Sequence, residues 1–451
     1  MTPLLALALV SNIAGATGTR HPARIVVIGI DGVSLNLLQP YSERGITPNL
    51  GRLIKNGARG HLESIWPLRT PQVWTSIATG KLPGQHGIWD HLSNTYFNPP
   101  YVMTKKRLRV TSKDRTSKAI WGLLDDAGMS TLTVGWMASW PAESLKHGVM
   151  VAPVELMHDP RQTTIKGSFW RDAEDLVTPK RLWPRVQRLI VEPRHLNDAE
   201  IAAFADVPPE GHRIYELPRI ERYIYALRWS LARAQSIEAI TVDLASETEP
   251  DVILSYFQCP DSLLHRFWIF SESEAEIRQR LATHGIPNDQ AAELKKRFGG
   301  IVEACYRDID ARIGRILEAT AGDDTLVMIV SDHGFGVAAK PHRLKGEPYS
   351  GDHLDQGVII AVGPGVRRGA WIQGASVLDI APVILHHLGL AVADDMRGKV
   401  PTDLFEPELL AKKPIKTIPT YETTPQLEVP YADGWPIRKV PLRPTAAQMP
   451  K

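Results

Sequence analysis

One stretch near the end of the chain decides the fold: Thr325-Leu326-Val327-Met328-Ile329-Val330-Ser331-Asp332-His333-Gly334. Its first part is an apolar run rich in β-branched residues, which predicts a buried strand. Two potential metal ligands, Asp332 and His333, follow side by side. Open α/β sheets place their sites beyond the carboxyl ends of the strands. The stretch therefore indicates both a sheet and a site at its edge.

Two other strand-like runs are followed by ligands in the same way. Residues 24–30 lead directly into Asp31, and residues 251–257 are followed closely by Asp261 and His265. Taken singly, Asp31 also fits a turn, and Asp261 with His265 also fits a pair on one helix face. Because three segments would deliver ligands to one sheet edge, the recurrence predicts a metal-dependent enzyme.

Strand-like and helical patterns alternate along the chain. The strand-like runs are residues 25–28, 131–134, 252–254, 326–330 and 358–362. The helical patterns are residues 48–56, 118–127, 220–239 and 293–320. This alternation predicts an α/β fold with a mostly parallel central sheet and helices on both faces.

Composition divides the chain into a catalytic domain, residues 24–411, and two flanking parts. Within that domain, residues 153–249 combine charged helices with Pro-containing loops and show no clear strand. This segment fits a largely helical cap over the sheet edge, and it fits a helical layer on one face of the sheet equally well. Residues 412–451 contain eight prolines and little apolar periodicity, which predicts an extended tail.

The first 23 residues suggest a signal peptide or a disordered N-terminus. An apolar run at residues 4–10 precedes several small residues, but no Lys or Arg stands before the run. These features favour export, to the periplasm or beyond, over a cytoplasmic location. The run is too short to span a bilayer and no later stretch reaches about 18 apolar residues, so no transmembrane span is predicted.

Charge and cysteine content exclude several classes of protein. Lys and Arg number 52 against 50 Asp and Glu, so the chain has no basic footprint for nucleic acid. Its two cysteines exclude a disulfide framework and leave one bridge possible in an oxidising compartment. The oligomeric state is not predicted.

Six residues are candidate metal ligands. They are Asp31, Asp261, His265, Asp332, His333 and His353. Mixed carboxylate and imidazole ligands favour Zn²⁺, with Mn²⁺ or Fe²⁺ as alternatives. The set suffices for two divalent metals with three protein ligands each, and such a pair can stabilise the attacking and leaving oxygens of a phosphoryl displacement.

Thr70 is the candidate nucleophile. It precedes Pro71, and proline favours the first turn of a helix. A helix that begins there would direct its backbone N–H groups at an anion beside Thr70. A hydroxyl needs a metal or a base to become a good nucleophile. From local sequence alone, a role as the N-cap of the helix is the simpler interpretation of Thr70.

The order of these motifs resembles the alkaline phosphatase superfamily and, within it, the type I phosphodiesterase/nucleotide pyrophosphatase family. The resemblance runs from about residue 24 to residue 390. It is carried by Gly29-Ile30-Asp31-Gly32, Thr70, Thr79-Gly80-x-x-Pro83-x-x-His86-Gly87-Ile88, Asp261-x-x-x-His265, Asp332-His333-Gly334 and His353. It implies an alkaline-phosphatase-like fold and a small-molecule phosphoester substrate.

Carried over residue by residue, the resemblance implies two zinc sites. One would be formed by Asp261, His265 and His353. The other would be formed by Asp31, Asp332 and His333, with Thr70 bound to the same metal as the activated nucleophile. Thr70 would attack phosphorus and form a phosphothreonine intermediate, which water would then release.

One position departs from the family's pattern and weakens the transfer of substrate preference. The nucleotide pyrophosphatases carry an asparagine three residues after the His-Gly-Ile motif, where this chain has His91. Asn94 is close by but shifted. His91 is therefore a candidate substrate contact as well as a candidate packing residue. Arg69 is a second candidate contact, and a solvated loop position is its alternative.

Phosphodiester hydrolysis is the first functional hypothesis, and several alternatives stay open. Phosphomonoester hydrolysis, phosphonate hydrolysis and phosphoryl transfer to another acceptor use the same metal ligands, since the cap would set the acceptor. A cofactor-independent phosphoglycerate mutase is expected to carry Ser in place of Thr70, and a sulfatase would need Cys or Ser with a Pro-x-Arg sequence. A catalytically silent binding protein on this scaffold is the hypothesis from another class.

Overall fold

One nine-stranded sheet organises the protein. The computed structural model describes residues 24–93, 108–153, 174–205, 219–337 and 349–423. The strands are β1 (Ile25–Ile30), β2 (Ala58–Glu63), β3 (Leu92–Ser93), β4 (Leu108–Arg109), β5 (Thr131–Val134), β6 (Val149–Val151), β7 (Val177–Thr178), β8 (Val252–Phe257), β9 (Leu326–Val330), β10 (Gly334–Gly336), β11 (Asp352–Leu354), β12 (Gln356–Val362), β13 (Ala375–Ser376), β14 (Val392–Ala393) and β15 (Thr417–Ile418).

The central sheet is mostly parallel. Its strand order is β13-β2-β12-β9-β1-β8-β5-β6-β7. The five consecutive strands from β9 to β6 run parallel to one another. Strand β12 is antiparallel to both of its neighbours, and β7 is antiparallel to β6. The predicted fold class, a mostly parallel α/β sheet, is confirmed.

Helices cover both faces of the sheet. They are α1 (Leu35–Glu43), α2 (Pro48–Asn56), α3 (Thr70–Thr79), α4 (Pro83–His86), α5 (Ile120–Asp126), α6 (Trp183–Leu189), α7 (Asp198–Ala202), α8 (Arg219–Thr248), α9 (Asp261–Phe267), α10 (Glu274–Thr283), α11 (Ala291–Phe298), α12 (Ile301–Thr320), α13 (Ile380–His387) and α14 (Pro407–Lys412). Alternate side chains of β1 enter two separate cores: Val27 packs with residues of α3 and α13, and Val26 packs with residues of α8 and α12.

The helical pattern predicted over residues 293–320 is two helices rather than one. Helix α11 ends at Phe298 and α12 begins at Ile301, so the break falls at Gly299 and Gly300. Glycine has the poorest helix propensity after proline. A side chain at position 299 would also meet the carbonyl oxygen of Lys295 at 2.5 Å, which requires glycine at this turn.

The segment predicted as a cap contributes to the sheet in its described part. Strand β7, which the sequence did not indicate, extends the sheet edge beside β6. Helix α8 packs on the sheet through residues such as Ile237 and Ile240 in the same core as β1. The division into catalytic domain, cap and tail stays a prediction. Residues 1–23, which include the predicted signal peptide, and residues 424–451 of the predicted tail lie outside the described residues.

Strands β1, β8 and β9 are in a register that aligns their carboxyl ends. Ile30 lies opposite Phe257, and Gly29 lies opposite Val330. The backbone N–H of Asp31 donates to the Phe257 carbonyl (2.9 Å). All three strands are buried along their whole length. Among the described residues, no helix is both long and apolar enough to cross a membrane.

Gly29 gives a first test of this packing. A Cβ at position 29 would lie 2.5 Å from the Trp74 ring, so we expect Gly29→Ala to lower the free energy of unfolding by about 1–3 kcal/mol through overpacking. Urea denaturation measures this change. Gly122→Ala on helix α5 is the control, because a Cβ there meets nothing within 4 Å. Equal stabilities of the two variants would contradict the prediction.

Candidate metal centre

Three buried carboxylates meet beyond the carboxyl ends of the aligned strands. Asp31 follows β1, Asp332 follows β9 shortly after its end, and Asp261 opens helix α9 after β8. Their exposed fractions are 0%, 0% and 5%. Asp31 Oδ1, Asp261 Oδ1 and Asp332 Oδ2 are buried without a hydrogen-bond partner. Buried carboxylates are normally paired or coordinate metals, so these oxygens fit a bound cation.

Three histidines present their Nε2 atoms to these carboxylates. His353 Nδ1 lies 3.0 Å from the Leu68 carbonyl oxygen. His333 Nδ1 lies 2.9 Å from the carbonyl oxygen of the residue that follows it. His265 Nδ1 lies 3.0 Å from the Ser350 hydroxyl, whose own proton goes to a backbone carbonyl. Each Nδ1 therefore carries the proton of the neutral ring, which leaves each Nε2 with a lone pair for a metal.

The first candidate group consists of Asp261, His265 and His353. Asp261 Oδ1 lies 3.3 Å from Nε2 of either histidine, and the two Nε2 atoms are 2.8 Å apart. Two lone pairs cannot hydrogen-bond to each other, and their convergence on a carboxylate is the arrangement of ligands around a cation. These are the three residues that the family resemblance assigned to one site.

The second candidate group consists of Asp31, Asp261 and His333. His333 Nε2 lies 3.2 Å from Asp31 Oδ1 and 3.4 Å from Asp332 Oδ2. The rings of His333 and His353 stack with their centroids 3.7 Å apart, so the two groups adjoin. The family resemblance assigned Asp332 to this site and Asp261 to the other. In the structure Asp261 takes part in both groups, and Asp332 adjoins the second through His333.

Burial and mutual repulsion make the ionisation of these groups interdependent. Burial, together with the charges of Asp31 and Asp261, holds the pKa of Asp332 well above its usual range. Burial opposes ionisation of Asp261 as well, but the nearby His265 and His353 outweigh it and lower its pKa. Burial alone would lower the pKa of His333, and its contact with Asp31 raises it instead. A divalent cation would replace the protons that this cluster otherwise retains.

Thr70 is the first residue of helix α3 and is almost fully buried. The N-cap position belongs to Arg69, whose backbone is extended, so the expectation that Thr70 is the N-cap is wrong. The loop that leads into α3 contacts the candidate centre, because the Leu68 carbonyl accepts a hydrogen bond from His353 Nδ1. The nucleophile predicted from sequence therefore follows a loop that contacts a candidate metal ligand.

The two predicted substrate contacts share one partner, Asp90. The Arg69 guanidinium forms an ion pair with the Asp90 carboxylate. The backbone N–H of His91 donates to Asp90 Oδ1 (2.7 Å), and His91 itself is exposed. No local pattern in the sequence indicates this contact of Asp90. Asn94, the shifted asparagine, lies outside the described residues.

The Thr79 to Ile88 motif builds the scaffold rather than the ligand set. His86 is fully buried, and its Nδ1 accepts the backbone N–H of Ile88 (3.1 Å). Its Nε2 is 2.9 Å from the Ser76 hydroxyl of helix α3. Burial and the nearby Arg115 charge lower the pKa of His86 to about 3, so this histidine stays neutral.

Two further side chains contact candidate ligands and were not predicted. The Tyr256 hydroxyl donates to Asp31 Oδ2, and the Ser350 hydroxyl accepts from His265. Tyr256 lies within the apolar run of β8, where an aromatic residue indicates core packing. Ser350 precedes the ligand His353 by three residues in a segment without periodicity. Neither residue carries a local signal of its contact.

Comparison with known proteins supports the resemblance seen in the motifs. The family model "Type I phosphodiesterase / nucleotide pyrophosphatase" matches residues 25–379. The chain is also similar to a 2,3-bisphosphoglycerate-independent phosphoglycerate mutase of Shewanella frigidimarina, with 31% identity over 120 residues, 27% of this chain and 22% of the mutase. The mutase of Shewanella oneidensis is 29% identical over 113 residues. The matched segment thus spans about a fifth of the length of these curated relatives.

Two solved structures show a distant likeness. Phosphonoacetate hydrolase from Sinorhizobium meliloti 1021, in complex with phosphonoacetate, is 15% identical with a TM-score of 0.40 over 71% of this chain and 58% of that chain. A putative sulfatase from Bacteroides thetaiotaomicron VPI-5482 is 14% identical with a TM-score of 0.47 over 84% of this chain and 73% of that chain. Similarity at this level carries no statement about substrates.

Metal stoichiometry tests the shared position of Asp261. We expect the wild-type protein to bind two Zn²⁺ ions, His265→Gln to lose one, and Asp261→Asn to lose both, because Asp261 belongs to both groups. Mass-spectrometric metal analysis after dialysis measures this. His147→Gln is the control, because this exposed histidine precedes β6 at the opposite edge of the sheet. Two retained ions in Asp261→Asn would refute the shared role.

Proposed function

The chain belongs to the type I phosphodiesterase/nucleotide pyrophosphatase family, and from this premise we propose that it is a metal-dependent phosphodiesterase. Thr70 is the proposed nucleophile, and the reaction runs through a phosphothreonine intermediate at a two-zinc site. The observation that carries the proposal is the convergence of three Nε2 lone pairs and three buried, unpaired carboxylate oxygens beyond the strand ends.

The donor atoms fit zinc. Imidazole nitrogens with carboxylate oxygens are a common zinc ligand set, and Mn²⁺ or Fe²⁺ accept the same atoms. The proposed ligands are Asp31, Asp261, His265, Asp332, His333 and His353. When bound, the metal pair would lower the pKa of the Thr70 hydroxyl and would stabilise the charge on the attacking and leaving oxygens.

The protein residues supply position and a favourable electrostatic environment. Thr70 Oγ1 loses its proton and attacks phosphorus, the bond from phosphorus to the leaving group breaks as the bond to Thr70 forms, and the leaving oxygen takes up a proton from solvent. Water then hydrolyses the phosphothreonine and restores the hydroxyl. Thr70 begins the ten-residue helix α3, so the N-terminal end of the helix dipole favours the negatively charged phosphoryl group beside it.

The Arg69–Asp90 ion pair supports a diester over a monoester. Arg69 is adjacent to Thr70 and would offer a positive charge to the substrate, and the His91 ring would offer a hydrogen bond. Because Asp90 offsets the charge of Arg69, little net positive charge remains on this side of the nucleophile. A diester carries one negative charge and a monoester about two near pH 7. The smaller demand for positive charge matches the diester.

Phosphoryl transfer to another acceptor is the second candidate. The similarity to phosphoglycerate mutases over 120 residues favours it. Phosphomonoester and phosphonate hydrolysis use the same ligands and differ in the groups that surround them. A silent binding protein is disfavoured, since such a protein has no need to retain every ligand together with Thr70.

Replacing Thr70 tests the nucleophile. We expect Thr70→Ala to lower kcat by at least about a thousandfold while the metal content stays at the wild-type level, because the attacking oxygen is lost. Turnover of bis-p-nitrophenyl phosphate measures activity, and acid quenching followed by mass spectrometry detects the phosphothreonine. Thr79→Ala is the matched control, since Thr79 is a buried threonine at the other end of α3. Turnover that survives in Thr70→Ala excludes this nucleophile.

Asp90 tests the basis of diester preference. We expect the wild type to cleave bis-p-nitrophenyl phosphate faster than p-nitrophenyl phosphate. Asp90→Asn removes the charge but retains an oxygen for the His91 N–H, so the ratio of kcat/KM should shift toward the monoester by about twofold to fivefold, as expected for a partly exposed charge. Asp126→Asn is the control, because Asp126 pairs with Lys118 on an exposed surface. An unchanged ratio would contradict the role of Asp90.

A further inference from the structure

We propose that Tyr256 is a positioning residue that holds Asp31 in place and thereby sets the affinity of one of the two metal sites. The inference rests on the proposed metal-dependent function, and it adds a residue to which neither the motifs nor the family model assigns a role. Tyr256 is not itself a candidate ligand. It acts through the carboxylate of Asp31.

The contact is short and buried. Tyr256 lies in β8 and is 3% exposed, and its hydroxyl donates to Asp31 Oδ2 at 2.5 Å. A hydrogen bond from a hydroxyl to a carboxylate at this distance is charge-assisted and about twice as strong as a neutral one. In a site where three carboxylates lie close together, this hydrogen bond fixes the position of Asp31 Oδ2.

Aromatic packing fixes the direction of the hydroxyl. The Tyr256 ring meets the Trp74 ring edge to face, with centroids 4.8 Å apart. Trp74 in turn meets Trp136 at 5.2 Å, and Trp136 Nε1 donates to the Trp74 carbonyl. Trp74 is fully buried against Gly29, which has no side chain to displace it. The packing therefore holds the hydroxyl toward Asp31.

The hydrogen bond gives the two carboxylate oxygens of Asp31 different roles. Oδ2 accepts from Tyr256, whereas Oδ1 is buried without a hydrogen-bond partner and lies 3.2 Å from His333 Nε2. The tyrosine therefore leaves one defined oxygen available to a cation. Groups that orient a metal ligand in this way typically change metal affinity by about 10- to 100-fold when they are removed.

Only one of the two metal groups depends on this contact. The ligands His265 and His353 are oriented by Ser350 and by the Leu68 carbonyl. Tyr256 instead contacts Asp31, which belongs to the second group and not to the first. Loss of the Tyr256 hydroxyl should therefore weaken one metal-binding step and leave the other unchanged.

The test is Tyr256→Phe in the full-length protein, which retains the ring and its packing. Zn²⁺ titration of the metal-free protein against a chromophoric chelator should show one site weakened by about 10- to 100-fold and the second at wild-type affinity. Co²⁺ titration adds a spectroscopic readout, because the visible spectrum of the weakened site should change. Thermal unfolding of the metal-free variant establishes that it is folded.

Tyr421→Phe is the matched control. The Tyr421 hydroxyl also donates a short hydrogen bond, to the Ala391 carbonyl at 2.6 Å, and both residues come after every candidate ligand in the sequence. It should leave both affinities and the Co²⁺ spectrum unchanged. Two wild-type affinities in Tyr256→Phe would overturn this inference alone, and so would equal weakening of both sites. A wild-type protein that binds no metal would overturn the proposed function and this inference together.

Discussion

The burial of three carboxylates at one sheet edge is the constraint on which the rest of the structure depends. Asp31, Asp261 and Asp332 stand together with little or no exposure. Such charges are costly to remove from water unless each is compensated. Three parallel strands in matching register are needed to bring them together. The strand register that forms the sheet therefore also buries three carboxylates together, and a pair of bound divalent cations would compensate their negative charge.

The histidines show how the surrounding backbone prepares ligands. In each ring Nδ1 contacts an acceptor, and two of those acceptors are main-chain carbonyls. Main-chain acceptors cannot be lost by substitution, so the tautomer is secured by the path of the chain itself. The Leu68 carbonyl also links His353 to the loop that leads into Thr70. Ligand orientation and the position of the candidate nucleophile thus depend on the same loop.

The family motif separates into residues that face the site and residues that build its support. His86 and Ser76 pair in the buried interior beside helix α3, and the lowered pKa of His86 keeps that pair neutral. Elsewhere on helix α3, the Trp74 ring contacts the rings of Trp136 and Tyr256 edge to face. Helix α3 is therefore packed on both sides, through Ser76 and through Trp74.

The sequence by itself determined the fold class and the position of Asp31 and Asp332 just after buried strands. Both follow from local order along the chain, because a buried strand ends where its apolar run ends and its next polar residue must lie at the sheet edge. Tertiary structure alone decided that Asp261 takes part in both groups, that Asp90 engages Arg69 and that Tyr256 holds Asp31. Tyr256 and Asp31 are 225 residues apart in sequence. Their contact depends on how two strands pair and how the tryptophans pack, and no local pattern records that.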